Sequence, residues 1–172
     1  MAAQLPTSRT PCATALRALL GGDWAAWTGL PADCSVAALE AEFGPARVLE
    51  PVASIGDDGT SCARSTLSDA PITFWHDGER VLLVEADLLS NPLPAPPFDA
   101  RTMQRRDAPF GVSVLVGGEW IDAGRGLALT VTPAGKVVRS LGFARLSLER
   151  YLSTLQPRGA PIVPLGLGGA TP

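Results

Sequence analysis

The sequence predicts an α+β fold, with N-terminal helices packed on antiparallel, hairpin-linked sheet and a short C-terminal helix closing the chain. Three observations carry this. Capped helical patterns fall within the first 45 residues, with one more from Ser147 onward. Residues 72–87 read I-T-F-W-H-D-G-E-R-V-L-L-V-E-A-D, two apolar runs around Asp77-Gly78, which is the strongest short-range hairpin signal. Residues 111–143 then alternate strand-like runs with Gly- and Pro-bearing turns. Helices segregated from hairpin-linked strands define the α+β class.

Composition sets the outer limits. A chain of 172 residues that is 46% hydrophobic forms one domain or two small halves around a shared core. The layout read from the sequence is helices and a four-stranded meander over 1–90 and a Pro-rich connector over 91–100. A second meander with its helix over 101–156 follows, as one unit with the first, and then a flexible tail over 157–172. Net charge is −3, which gives no reason to expect nucleic acid or an anionic membrane as a partner. Lys136 is the only lysine among 14 cationic side chains, the usage of a GC-rich, bacterial genome. Cys12, Cys34 and Cys62 contain no C-x-x-C pair. They read as free thiols in a reducing compartment, with a Cys34–Cys62 disulfide as the alternative. Arg17 interrupts the apolar run 12–20 and Gly21-Gly22-Asp23 follows it, so no export signal is read there. With no run of roughly 18 apolar residues, the expectation is a soluble, cytoplasmic protein.

Taken in order, residues 1–9 read as a loose arm. Thr10-Pro11 starts a helix as N-cap and first-position proline, with Leu16, Leu19 and Leu20 inward and Gly21-Gly22 as its stop. Asp23 caps a further turn that carries Trp24 and Trp27 on one face, an anchor onto the sheet. Asp33 or Ser35 caps the next helix, whose stripe is Val36, Leu39 and Phe43. Gly44 and Pro45 end it. Extended segments at 46–55 and 60–67 flank a turn at 56–59. In the central hairpin a two-residue turn places Trp75 opposite Arg80 and Phe74 opposite Val81. Ile72, Phe74, Val81 and Leu83 then share one face, and Trp75, Leu82 and Val84 the other. Arg101, Arg105 and Arg106 sit at helical or turn spacing, a small solvated basic spot.

The second half reads as strands at 111–116 and 119–122, with Trp120 facing Leu115 and Ile121 facing Val114. A strand at 127–132, a three-residue hairpin at Pro133-Ala134-Gly135 and a strand at 136–143 complete the meander. Leu127, Leu129, Val131, Val137 and Leu141 would share one face and Thr130, Thr132 and Ser140 a wet one. Leu148, Leu152 and Leu155 form the stripe of the last helix, which Pro157 ends.

Residues 27–45, W-T-G-L-P-A-D-C-S-V-A-A-L-E-A-E-F-G-P, resemble the opening of the small outer-membrane assembly lipoproteins of SmpA/OmlA type. There a helix ending in a Gly-x-Pro or Gly-Pro step precedes a three-stranded meander. The tandem form of that fold is similar to the β-lactamase inhibitor protein. The resemblance implies a fold that binds other proteins through its sheet; it carries over no functional residue.

Catalytic chemistry finds few candidates. His76 is the only histidine, so any Ser-His or Cys-His site must use it, and beside Asp77 and opposite Glu79 it reads as a solvated strand-end contact. No second histidine or spaced carboxylate set completes a metal site, and Asp57-Asp58 reads as a turn. Gly124-Arg125-Gly126 opens no helix, so it reads as a tight turn and not as a phosphate cradle. The reading is a protein with no catalytic residue, metal or cofactor, a protein-binding module whose oligomeric state is open. Trp75, Arg80, Trp120 and Arg125 are its candidate interaction residues. The alternative is a small-molecule-binding or hydrolytic protein with a pocket between helices and sheet.

Overall fold

In a computed structural model, residues 10–55, 60–106 and 118–154 are described. The first helix, α1, spans Pro11–Gly21. Thr10 accepts the Ala13 N–H at 3.2 Å, and Gly22 closes the helix in the left-handed region. Helix α2, Val36–Phe43, is capped by Ser35, which accepts from the Ala38 N–H at 3.1 Å. Leu39 and Phe43 are its buried residues. The strands follow: β1 (Ala46–Ile55), β2 (Thr60–Leu67), β3 (Ile72–His76), β4 (Val81–Asp87), β5 (Leu93–Pro94), β6 (Gln104–Arg106), β7 (Gly118–Asp122), β8 (Leu127–Val131) and β9 (Lys136–Phe143). Helix α3, Leu148–Thr154, ends the described chain. The protein is therefore a mostly antiparallel sheet with three short helices, an α+β arrangement among the described residues.

The sheet runs β1-β2-β3-β4-β9-β8-β7-β6. Its continuity comes from β4 pairing with β9, Leu83 opposite Phe143 through Asp87 opposite Arg139. The Pro-rich connector does not stand apart from it. Leu93 pairs with Val137, the Ala95 N–H donates to Gly135 O, and the Trp24 indole donates to Pro94 O at 3.1 Å. Proline can sit there because β5 extends the β9 pairing for only two residues.

Two apolar clusters form. The first joins Cys12, Leu16 and Leu19 of α1, Trp24, Trp27, Leu39 and Phe43 with Phe74, Val84, Leu127, Leu129 and Val137 of the sheet. Trp27 is its anchor, fully buried, with its indole donating to Gly126 O at 3.0 Å. A Cβ on Gly142 would sit 2.6 Å from that ring, so only glycine lets the indole lie against β9. The second cluster, on the other face, holds Trp75, Leu83, Ile121, Ala128, Leu141, Phe143 and Tyr151 of α3.

Several expectations need correction. The hairpin turn holds four residues, 77–80, between the pair His76–Val81. Asp77 Oδ1 accepts the N–H groups of Glu79 and Arg80, while Glu79 O accepts the Val36 N–H of α2. A side-chain-closed Asx turn docked on a helix thus replaces the two-residue turn. A bulge then inserts Leu82, so Trp75 lies opposite Leu83 and Phe74 opposite Val84. One extra residue reverses the alternation, which moves Leu83 to the Trp75 face and Val84 to the Phe74 face. The same thing happens in β9, where the shift between Thr130 and Val131 displaces Val138. Leu141 joins the second cluster and Ser140 is fully buried beside Leu129, so the expected wet face is not wet.

Arg105 and Arg106 lie on β6, opposite Trp120 and Glu119, because the β7 backbone takes a ladder partner there. In α3 the fully buried residue is Tyr151, with Leu148 and Leu152 only half-buried. Cys12 and Cys34 are disulfide-bonded with Cα atoms 5.0 Å apart, and Cys62 is a buried thiol whose Sγ donates to Ala53 O at 3.4 Å. The expectation of three thiols is therefore corrected, as is the Cys34–Cys62 alternative. The bond joins the first turn of α1 to the residue before the α2 cap, a meeting that sequence spacing does not reveal. With that bond in place, free thiols no longer argue for a reducing compartment. Among the described residues no helix is long and apolar enough to cross a membrane. The expected arm 1–9, turn 56–59, strand 111–116 with its pairings to Trp120 and Ile121, Leu155 and the tail 157–172 lie outside the described residues.

Candidate protein-binding edge

Ten residues of β1 form one end of the sheet, and Pro51 within them marks an edge strand because proline donates nothing to a ladder. Two irregularities interrupt its pairing with β2. Val48 lies opposite Ser65, Glu50 opposite Arg64 and Ala53 opposite Cys62, so one residue is inserted before Glu50 and another before Ala53. Apolar side chains at and beside the inserted positions project to solvent. Val48 is 56% exposed, Leu49 37% and Val52 77%, three of the five large hydrophobic side chains most exposed among the described residues. A soluble edge is ordinarily blunted by charge or bulges. Here bulges interrupt the ladder and leave apolar side chains outward.

Beside this edge runs a polar row on one face. Glu50 accepts from Arg64 Nη1 at 2.5 Å, and the Arg64 guanidinium lies 5.6 Å from the centre of the Trp75 ring, which it faces across β2 and β3. Trp75 does stack with an arginine, but its partner is Arg64. Arg80 sits at the exposed hairpin tip, 3.7 Å from Asp77, and bridges the backbone of Ser35.

Trp120 is half-buried on the opposite face, edge-on to Phe98 with centroids 5.3 Å apart. Arg125 is turned inward. Its guanidinium donates to the carbonyls of Trp24, Ala25 and Trp27 and lies 3.8 Å from Asp122, clamping the tryptophan turn. Burial pushes the Asp122 carboxyl up, and Arg125 partly offsets this. The four expected interaction residues thus occupy four separate places. The exposed Val48, Leu49 and Val52 were missed, although three apolar residues out of period-two register around Pro51 were the available signal.

Two other places bear on chemistry. His76 is buried with Ser65. Its Nδ1 accepts the Gly78 N–H at 3.2 Å, which leaves the proton on Nε2, donated to Ser65 Oγ at 2.9 Å. A base that is to take a serine proton needs a free lone pair on that nitrogen, and this tautomer has none. An open cleft of about 540 Å³ lies between the ends of α1 and α2 and the loops at 69–71 and 88–91. Arg17 in its wall is ion-paired to Glu42 and lies 5.4 Å from the Phe43 ring centre. Among the described residues no group of three His, Cys, Asp or Glu side chains is placed to hold a metal. No protein-family model, curated protein or solved structure matches this chain.

Proposed function

We propose that this chain is a non-enzymatic protein-binding module that engages its partner through the β1 edge. The observation that supports the reading is the run of outward apolar side chains, Val48, Leu49 and Val52, on a strand whose outer side has no ladder partner among the described residues. Contiguous exposed apolar surface marks interaction sites more than it marks ordinary surface. Because the bulges and Pro51 disfavour a long added strand, affinity comes from side chains and not from an extended backbone ladder. The resemblance of residues 27–45 to sheet-mediated binding proteins points the same way.

The test compares immobilised wild type with a Val48→Thr/Val52→Thr variant in a lysate of the native host. Both changes keep β-branching, so the melting temperature should be unchanged. Proteins retained by wild type alone are then purified and rebound. A purified partner that binds wild type and not the variant supports the reading; equal binding to both removes it.

A second reading takes the cleft as a small-molecule site, since its volume lies in the ligand-pocket range. Its wall carries Arg17, Glu42, Asp69, Asp87, Ser90 and Asn91, so a polar ligand would suit it. An Asn91→Trp change would block that ligand and leave the β1 edge intact.

A further inference from the structure

We infer that the partner of the β1 edge is a second copy of this chain, joined antiparallel about a two-fold axis between Val48 and Leu49. The inference rests on the edge reading above and names its occupant. Residues 47–50 read Arg-Val-Leu-Glu, all exposed, with a cation and an anion flanking two apolar side chains. Under a two-fold axis at the centre, Arg47 meets Glu50 of the second copy, and Val48 meets Leu49, each contact made twice. That self-complementarity is what an isologous interface requires.

A regular strand would spoil it, because residues three apart point to opposite faces. The bulge corrects this. Arg47 lies opposite Thr66 and Glu50 opposite Arg64, two β2 residues that share a face, so Arg47 and Glu50 share one as well. Arg47 has no ion-pair partner among the described residues. The exposed Glu50 carboxylate, which already takes one N–H from Arg64, has acceptor capacity left for a second guanidinium. Net charge of −3 per copy opposes association only weakly. Pro51 and the second irregularity confine the contact to a short centre, well below the ~1,200 Å² of a standard interface. The dimer is therefore weak, with a dissociation constant on the order of micromolar or above.

Sedimentation velocity over a concentration series tests this. Wild type should shift from monomer to dimer as concentration rises. R47E alone and E50R alone each set like charges opposite one another and should weaken association about tenfold. An equimolar mixture of R47E and E50R restores both ion pairs in a mixed dimer, and the R47E/E50R double variant restores them in its own. Recovery in both supports the two-fold register. A wild type that stays monomeric overturns the inference, as does a dimer indifferent to these charges. If the wild type is monomeric while a purified heterologous partner still distinguishes it from V48T/V52T, only the second-copy inference fails. If neither the dimer nor such a partner is found, the edge reading falls with it.

Discussion

At the residue scale, His76 and Tyr151 are buried titratable groups that couple stability to pH. His76 is held neutral: burial lowers its pKa, and Asp77 only partly offsets this. Because the folded value lies below the unfolded value of about 6.5, the unfolded chain binds more protons as pH falls through that value. Stability should therefore be full above it, decline as pH drops below it, and level off under the folded pKa. Urea midpoints measured between neutral pH and the onset of carboxylate titration should fall more steeply with falling pH for wild type than for His76→Gln. Equal slopes for the two would show that His76 is not the group responsible. Tyr151 marks the alkaline limit. Its hydroxyl donates to Glu119 at 2.6 Å, its ring stacks on Phe143, and burial followed by the Glu119 charge pushes its pKa far up. It is the only tyrosine, so tyrosinate absorbance reports on it alone. That absorbance should stay absent above pH about 10 and appear together with the loss of far-ultraviolet ellipticity, because only the unfolded chain ionises there. Ionisation in a still-folded protein would show that α3 does not bury Tyr151.

At the scale of elements, the helices are joined covalently. The Cys12–Cys34 bond closes 22 residues, from the start of α1 to the residue before the Ser35 cap of α2. On the chain-entropy model a loop of that length contributes about 3 kcal/mol. Replacing both cysteines with alanine should lower the unfolding free energy by about that amount. Labelling under non-reducing, denaturing conditions should modify one thiol, Cys62. Three labelled sites would mean that the bond does not form. The hairpin tip depends on the same region, since Val81 N–H donates to Cys34 O and Val36 N–H to Glu79 O. Loss of the disulfide should therefore also loosen the 77–80 turn, readable as faster amide exchange at Val81.

At the scale of the molecule, β9 is the strand on which the rest converges. It pairs with β4 and β5 along one side and with β8 along the other, and it presents Gly142 to Trp27 on one face and Phe143 to Tyr151 on the other. Among the described residues the edges β1 and β6 have one neighbour each. Native-state hydrogen exchange should be slowest in β4, β8 and β9, approaching global unfolding, and fastest at β1 and β6. In a dilute, monomeric sample, protection of β1 equal to that of β9 would mean the edge is covered within the chain itself.

Local chemistry was enough to place the helix ends and turns, though not the short strands β5 and β6. Thr10-Pro11 and Ser35 start the helices, Gly22 and Gly44 stop them, and Gly135 turns the last hairpin, because caps and positive-φ positions depend on a few neighbouring residues. The anchoring role of Trp24 and Trp27 was legible for the same reason. Register was not. The insertions of Leu82 and Val138 reversed the facing of Leu83, Val84, Ser140 and Leu141, and no local signal announces a bulge that exists only in the pairing with a neighbouring strand. Arg125 read as a turn residue, yet its three carbonyl partners lie about a hundred positions away. Cys12 and Cys34 paired only when two helix starts met. Period and capping are short-range physics and survive in the sequence alone. Facing, pairing and which apolar residues stay outside are decided by the whole sheet, because each depends on the arrival of a distant partner.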